Sequence, residues 1–270
     1  MKTIAIVSTV GGAGRTMLTA ELAGLLAARG HAVLALECDP RNVLALHFGL
    51  REPARAGLVS YLRGAHDDTA NAALQSDDNV LLVPWGGATD DANDTNGIND
   101  AGTTDATDTA DATVHARLHA EPGWLRALLA RVELPAETVA LIDTPTWPCV
   151  ETRQAIAAAD LTLAVLPPAP GTCATLPRFR EVLGEKPCIY VANAVIPARR
   201  LHLDVIALLR ATLGSAMLPY QIHADAGVPE ALARGENFCK STPGSQAAHD
   251  LNGIASWLSR WAGGTEEAPQ

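Results

Sequence analysis

Short apolar runs rich in β-branched residues recur along this chain of 270 residues and alternate with longer stretches of helical periodicity. Runs of this kind indicate strands covered on both faces, and their alternation with helices is typical of a parallel sheet. The predicted strands are Thr3–Ser8, Ala32–Glu37, Asn79–Pro84, Val139–Asp143, Leu161–Pro167, Cys188–Ala192 and Ala216–Pro219. The predicted helices include Arg15–Arg29, Trp124–Val132, Thr152–Ala158, Leu201–Leu213 and Gln246–Trp261. We therefore predict a doubly wound α/β fold, with a mostly parallel sheet and helices on both faces.

A single domain is expected to account for nearly the whole chain, because α/β folds of more than about 200 residues commonly remain undivided. We expect that domain to span residues 1–262, followed by a flexible tail at 263–270. The segment 86–113 interrupts the alternation of strands and helices, since it is rich in Asp, Asn, Thr, Ala and Gly. A segment with so few large apolar side chains cannot bury enough surface to order itself. It is predicted to be a disordered acidic insertion.

The net charge of −10 comes largely from that insertion. Seven aspartates lie in it without a Lys or Arg, and subtracting them leaves −10 + 7 = −3, an ordinary value for a soluble domain. The totals indicate no basic surface of the kind that binds nucleic acid. No apolar run reaches the roughly 18 residues of a membrane span, and the first residues offer no cleavage site for export. We expect a cytoplasmic protein without a specific nucleic-acid partner and without direct membrane insertion.

A glycine-rich loop follows the first predicted strand and leads directly into a predicted helix. Its sequence is Gly11-Gly12-Ala13-Gly14-Arg15-Thr16. Glycines let backbone N–H groups turn toward phosphate oxygens, and the N-terminus of the following helix adds a favourable partial charge. Thr16 stands where a hydroxyl ligates Mg²⁺ in phosphate-binding loops. Taken alone, the loop is also compatible with a glycine-rich turn that binds nothing.

Two carboxylates end later predicted strands, at the edge where open α/β sheets bind ligands. Asp39 follows the second strand in the segment Glu37-Cys38-Asp39-Pro40-Arg41-Asn42. Asp143 ends the fourth strand in the segment Leu141-Ile142-Asp143-Thr144-Pro145. A carboxylate at such a position can also be a plain helix N-cap. The agreement of three segments in chain order favours nucleotide binding.

Together these segments resemble the deviant P-loop ATPases of the ParA, MinD and nitrogenase iron protein class, whose loop reads Lys-Gly-Gly-x-Gly-Lys-Thr. In that class the segment after the second strand reads Asp-x-Asp-Pro-Gln-x-Asn, so that Glu37 replaces its first aspartate. The resemblance implies ATP and Mg²⁺ as ligands. It assigns Thr16 and Asp143 to the metal, and Asp39 to the attacking water as the catalytic residue. It assigns Asn193 to the adenine edge. The residues that it places around the nucleotide phosphates are Gly11, Gly12, Ala13, Gly14, Arg15 and Thr16.

The loop departs from the class pattern at both lysines. Val10 replaces the signature lysine that reaches across a dimer to the partner's nucleotide, and Arg15 replaces the lysine beside the β- and γ-phosphates. A planar guanidinium is not interchangeable with a compact ammonium at a tight site. Phosphoryl transfer depends almost entirely on positioning and on charge stabilisation. We therefore expect ATP binding with weak or absent hydrolysis.

Within this class the chain resembles the BcsQ (YhjQ) family of cellulose-synthase operons. The resemblance rests on the altered loop lysines and on two runs, Asp39-Pro40 with Asn42-Val43-Leu44-Ala45-Leu46-His47-Phe48-Gly49, and Leu218-Pro219-Tyr220-Gln221-Ile222-His223-Ala224-Asp225. It implies an ATP-dependent homodimer that binds regulatory subunits of the cellulose synthase complex, peripheral to the inner membrane. Two alternatives stay open: a ParA-type ATPase that partitions DNA or positions proteins, and a pseudo-ATPase scaffold that binds no nucleotide.

Overall fold

The computed structural model describes residues 1–63, 72–87 and 104–267, with side chains in the last range from residue 112 onward. The strands in these ranges are β1 Lys2–Val7, β2 Val33–Glu37, β3 Leu74–Gln75, β4 Val80–Val83, β5 Val139–Asp143, β6 Leu161–Leu166, β7 Cys188–Val195 and β8 Met217–His223. The α-helices are α1 Arg15–Ala27, α2 Leu58–Leu62, α3 Thr104–Ala120, α4 Trp124–Leu129, α5 Val150–Ala158, α6 Pro170–Leu183, α7 Arg200–Leu213, α8 Gly227–Arg234, α9 Phe238–Ser241 and α10 Gln246–Ala262.

All these strands form one sheet in the order β3-β4-β2-β5-β1-β6-β7-β8. Every neighbouring pair is parallel except β3 and β4, which run antiparallel. The chain order reverses around β1, so its carboxyl end lies at a switch point of the sheet, where open α/β sheets bind ligands. The predicted doubly wound, mostly parallel fold is confirmed.

Helices cover both faces of the sheet, and each face has its own apolar core. Successive strand residues point to opposite faces, so Ile4 and Ile6 of β1 pack in the layer that contains α1 and α10. Ala5 and Val7 pack in the opposite layer, which contains α3 to α7. The central strands β1 and β5 are buried along almost their whole length. This double burial explains why their sequences are continuous apolar runs without polar alternation.

Several element boundaries differ from the sequence-based prediction. Strand β8 continues through Pro219 to His223, because it lies at the edge of the sheet, where a proline need not donate to a neighbouring strand. Strand β7 continues three residues past Ala192. Helix α6 was not predicted, since it contains Pro177 as well as Pro170 in its first turn, and prolines read as helix breakers.

The insertion predicted at 86–113 lies mainly outside the described residues. Its last part requires a correction, because α3 begins at Thr104 and residues 104–113 are therefore helical. Farther along α3, Val114 and Leu118 are buried one turn apart in the same core layer as α5. An anchored helix extends readily into an alanine-containing stretch, since alanine has the highest helix propensity. Among the residues that the structure describes, no helix is both long and apolar enough to cross a membrane.

Candidate functional site

The glycine-rich loop lies at the carboxyl end of β1 and leads into α1, which begins at Arg15. Gly14 precedes this helix with a φ of 87°, a left-handed conformation that glycine adopts without steric penalty. A β-carbon on Gly14 would come within 2.4 Å of the Asn193 side-chain nitrogen. By contrast, a β-carbon on Gly11 or Gly12 would meet no heavy atom within 4 Å. The loop is thus tightly packed at its helix end and open at its first two glycines, where a phosphate could approach the backbone.

The Arg15 side chain joins the loop to the segment after β5. It donates from Nε to the Thr144 carbonyl at 2.8 Å and from Nη2 to the Thr146 hydroxyl at 3.0 Å. The remaining nitrogen, Nη1, donates to the Val10 carbonyl at 3.2 Å. The side chain is only 4% exposed, and burial lowers the pKa of Arg15 while the charges of Asp143 and Asp39 raise it. Arg15 therefore acts as a clamp in this structure, with each guanidinium nitrogen engaged by the protein.

Val10 provides no positive charge and packs as an apolar residue. It is half-buried against the core layer of α1, and its Cγ1 lies 3.6 Å from the position of a β-carbon on Gly171, at the start of α6. The preceding Thr9 is buried, and its hydroxyl lies 2.6 Å from the Thr175 hydroxyl on α6. Both residues thus join the loop to α6.

Asp143 ends β5 beside the loop and is fully buried, at 0% exposure. Neither of its carboxylate oxygens has a hydrogen-bond partner. Burial raises the pKa of Asp143 to about 7, the nearby Thr16 hydroxyl offsets part of that rise, and the charges of Glu37 and Asp39 add to it. Buried polar atoms without a partner are rare in native proteins and indicate a missing ligand or water. This carboxylate next to Thr16 therefore fits a Mg²⁺ ion and its water shell.

A complete metal site of protein groups is not needed for that ion. In the described ranges no group of three or more His, Cys, Asp or Glu side chains could hold a metal. Nucleotide-associated Mg²⁺ takes only one or two protein ligands and completes its shell with phosphates and waters. The open glycines and the unpartnered Asp143 together fit a Mg²⁺-bound nucleotide.

Asp39 lies just after β2 and forms a two-pronged ion pair with Arg41. Arg41 donates from Nε to both carboxylate oxygens, at 3.1 and 3.0 Å, and from Nη2 to Oδ2 at 2.6 Å. The Arg41 backbone N–H donates to the same carboxylate at 3.1 Å. The Asp39 side chain is 2% exposed, whereas that of Arg41 is 61% exposed. The carboxylate that the resemblance assigns to the attacking water is thus covered by a cation.

Glu37 organises the segment after β2 through three backbone groups. Its Oε1 accepts from the N–H groups of Val43 at 2.6 Å and Leu44 at 2.8 Å, and its Oε2 accepts from Trp85 at 3.3 Å. Burial raises the pKa of Glu37 to about 7, although these backbone hydrogen bonds lower it. The longer glutamate therefore has a structural role where the class pattern has aspartate.

Asn193 lies within β7, and not after it, because this strand extends to Val195. Its side-chain nitrogen donates to the Ala13 carbonyl at 2.7 Å, and the residue is buried. Asn193 is thereby attached to the phosphate loop. Its proposed contact with adenine stays a prediction, as do the ligand roles of the loop residues.

The structure brings the loop, Asp39 and Asp143 together at one edge of the sheet. The Cys38 N–H donates to the Asp143 carbonyl at 2.9 Å, which holds the Asp39 segment against the end of β5. Sequence reasoning missed the partners Arg41, Thr144 and Thr146. Arg41 could have been singled out, because it replaces the glutamine of the class segment Asp-x-Asp-Pro-Gln.

Comparison with solved structures gives the same fold over the full chain. The septum site-determining protein MinD of Pyrococcus horikoshii, complexed with Mg-ADP, has a TM-score of 0.71 and 20% identity, covering 98% of this chain and 99% of that one. Cobyrinic acid a,c-diamide synthase of Mycobacterium smegmatis, with a bound ATP analogue and magnesium, has a TM-score of 0.72 and 17% identity, covering 100% and 99%. At these identities the likeness shows the fold alone.

Two comparisons of sequence, one with a single relative and one with a family profile, bear on the family of this chain. The maintenance of carboxysome distribution protein A of Synechococcus elongatus is 30% identical over 94 residues, a match that spans 35% of this chain and 37% of that protein. The profile of the family described as cellulose biosynthesis protein BcsQ matches residues 1–258. Since that match covers nearly the whole chain, the protein belongs to the BcsQ family.

Proposed function

We propose that this chain binds ATP with Mg²⁺ and uses it as a switch in bacterial cellulose biosynthesis, with weak or absent hydrolysis. The observation that carries this proposal is the unpartnered, buried Asp143 carboxylate beside the open backbone at Gly11 and Gly12. Backbone N–H groups at a helix N-terminus favour phosphate, and a lone carboxylate favours the accompanying metal ion. In this proposal Thr16 and Asp143 serve the Mg²⁺ shell.

Two features of the loop support slow hydrolysis. All three guanidinium nitrogens of Arg15 donate to protein groups. Val10 provides no cation for a partner's nucleotide. Because phosphoryl transfer relies on positioned positive charge, a loop without a free cation favours holding ATP over cleaving it.

The proposed biological role follows from membership of the BcsQ family. ATP would join two copies of the chain, and the dimer would bind regulatory subunits of the cellulose synthase complex from the cytoplasmic side of the inner membrane. ATP would thereby stabilise the dimer, since a ligand that binds one state of a protein stabilises that state by mass action.

Nucleotide binding, oligomeric state and phosphate release, each measured on the full chain, test this function. Equilibrium dialysis with labelled ATP in Mg²⁺ should give saturable binding, and size-exclusion chromatography should give a dimer only with ATP. Phosphate release should stay well below roughly 1 s⁻¹, the low end for efficient phosphoryl-transfer enzymes. Absent binding would favour the pseudo-ATPase alternative. Faster turnover together with binding to nonspecific duplex DNA would favour the partitioning or positioning alternative.

A further inference from the structure

We propose that Arg41 is the cation that contacts the terminal phosphate of the bound nucleotide, and that Asp39 holds this arginine in the nucleotide-free chain. The inference rests on the proposed function, because it concerns how the same site distinguishes a triphosphate from a diphosphate. It assigns a binding role to a residue outside the glycine-rich loop.

The loop itself has no cation free for this task. The three guanidinium nitrogens of Arg15 donate to Val10, Thr144 and Thr146, so that side chain would have to break a buried network to reach a phosphate. Position 10 is an apolar valine, and position 16 is a neutral threonine. A triphosphate carries more negative charge than a diphosphate, and its recognition calls for a charge-assisted contact at the terminal group.

Arg41 follows a strand that ends beside the proposed metal ligand Asp143. The strand before it, β2, pairs with β5 so that Glu37 is opposite Asp143, and the Cys38 N–H donates to the Asp143 carbonyl at 2.9 Å. The charge of Asp143 raises the pKa of Arg41, after the larger effect of its hydrogen bonds to Asp39. The charge of Arg41 in turn lowers the pKa of Arg15. Arg41 therefore shares the electrostatic environment of both the proposed metal ligand and the loop.

The Arg41 side chain is also free to exchange partners. It is 61% exposed and contacts Asp39 through Nε and Nη2, while its Nη1 donates to no group that is described. A terminal phosphate offers the planar guanidinium a second two-pronged partner of higher charge. The Asp39 side chain is only 2% exposed while it is paired with Arg41. When Arg41 moves to the phosphate, Asp39 loses its ion-pair partner and becomes accessible to water. Recognition of the third phosphate and release of Asp39 are thus one event.

The test compares ATP and ADP affinity, by titration calorimetry in Mg²⁺, for the full chain and for Arg41→Gln. We expect the substitution to weaken ATP about tenfold or more, the value of a charge-assisted hydrogen bond. ADP should weaken by about threefold or less, the size of a remote charge effect. The matched control is Arg131→Gln. Arg131 is an exposed residue between α4 and β5, at the amino end of that strand and therefore away from the proposed site. This substitution should leave both affinities unchanged.

Two further variants separate a binding role from a structural one. Arg41→Lys keeps the charge and should retain part of the preference for ATP, even if Arg41→Gln folds poorly. Asp39→Asn weakens the ion pair of the nucleotide-free chain, and we expect it to tighten ATP binding. If the pair had only a structural role, the same substitution should weaken ATP binding.

Equal losses of ATP and ADP affinity in Arg41→Gln, or no loss of either, would overturn the inference and leave the proposed function standing. An unmodified chain that binds neither nucleotide would instead remove the proposed function itself.

Discussion

Replacing Arg15 by lysine restores the residue that the class carries at this position, yet we expect it to destabilise the chain. Arg15 reaches three separate acceptors, at 2.8, 3.0 and 3.2 Å, from three different nitrogens. A single ammonium can replace one of these contacts at best. Two acceptors then lose a charged donor, each at a free-energy cost of roughly 1–1.5 kcal/mol. The expected loss of unfolding free energy is therefore about 2–3 kcal/mol.

Thermal and urea unfolding, followed by circular dichroism without nucleotide, measure this loss. At about 2–4 °C per kcal/mol for a chain of this size, the melting temperature of Arg15→Lys should fall by roughly 4–12 °C. Arg210→Lys is the matched control, because Arg210 lies exposed on α7. It should change stability by less than about 0.5 kcal/mol. An unchanged melting temperature for Arg15→Lys, together with tighter ATP binding, would refute the stabilising role of the three Arg15 hydrogen bonds.

Two other substitutions test the buried carboxylates. Glu37→Asp, which restores the class residue, shortens the side chain below the reach of its backbone donors and should lower unfolding free energy by about 2 kcal/mol in urea; unchanged stability would contradict that structural role. Burial raises the pKa of Asp143 to about 7, so its contribution to stability is full below about pH 4 and is lost progressively between about pH 4 and 7. Urea unfolding of Asp143→Asn should therefore depend less steeply on pH between about 4 and 7, by up to about 4 kcal/mol in total; an unaltered pH profile would contradict the raised pKa.

The parts of the site that sequence predicts are those encoded by neighbouring residues. The strand, glycine loop and helix around Gly11 to Thr16 follow from local pattern, because each element depends on residues within a few positions. The positions of Asp39 and Asp143 follow from the rule that parallel strands end at one edge of the sheet. These predictions required no knowledge of side-chain contacts.

The side-chain partners could not be predicted in the same way. Arg15 and Thr144 are 129 positions apart, and nothing local indicates that they meet. The class pattern suggested a phosphate contact for Arg15, whereas its three acceptors come from the loop and from the end of β5. Asp39 and Arg41 are neighbours in sequence, but whether Arg41 turns toward Asp39 depends on the charges brought close by folding. Tertiary contacts thus decide what each charged residue does.

The central claim is that the open backbone at the first two loop glycines holds the nucleotide phosphates. Gly11→Val tests it most directly, since a side chain there would enter space that is free of protein atoms. Equilibrium dialysis with labelled ATP in Mg²⁺ should give saturable binding for the unaltered chain. The valine variant should lose ATP binding and keep its melting temperature within about 2 °C, the effect of a surface change. A stable Gly11→Val chain that binds ATP as tightly as the original would contradict the account.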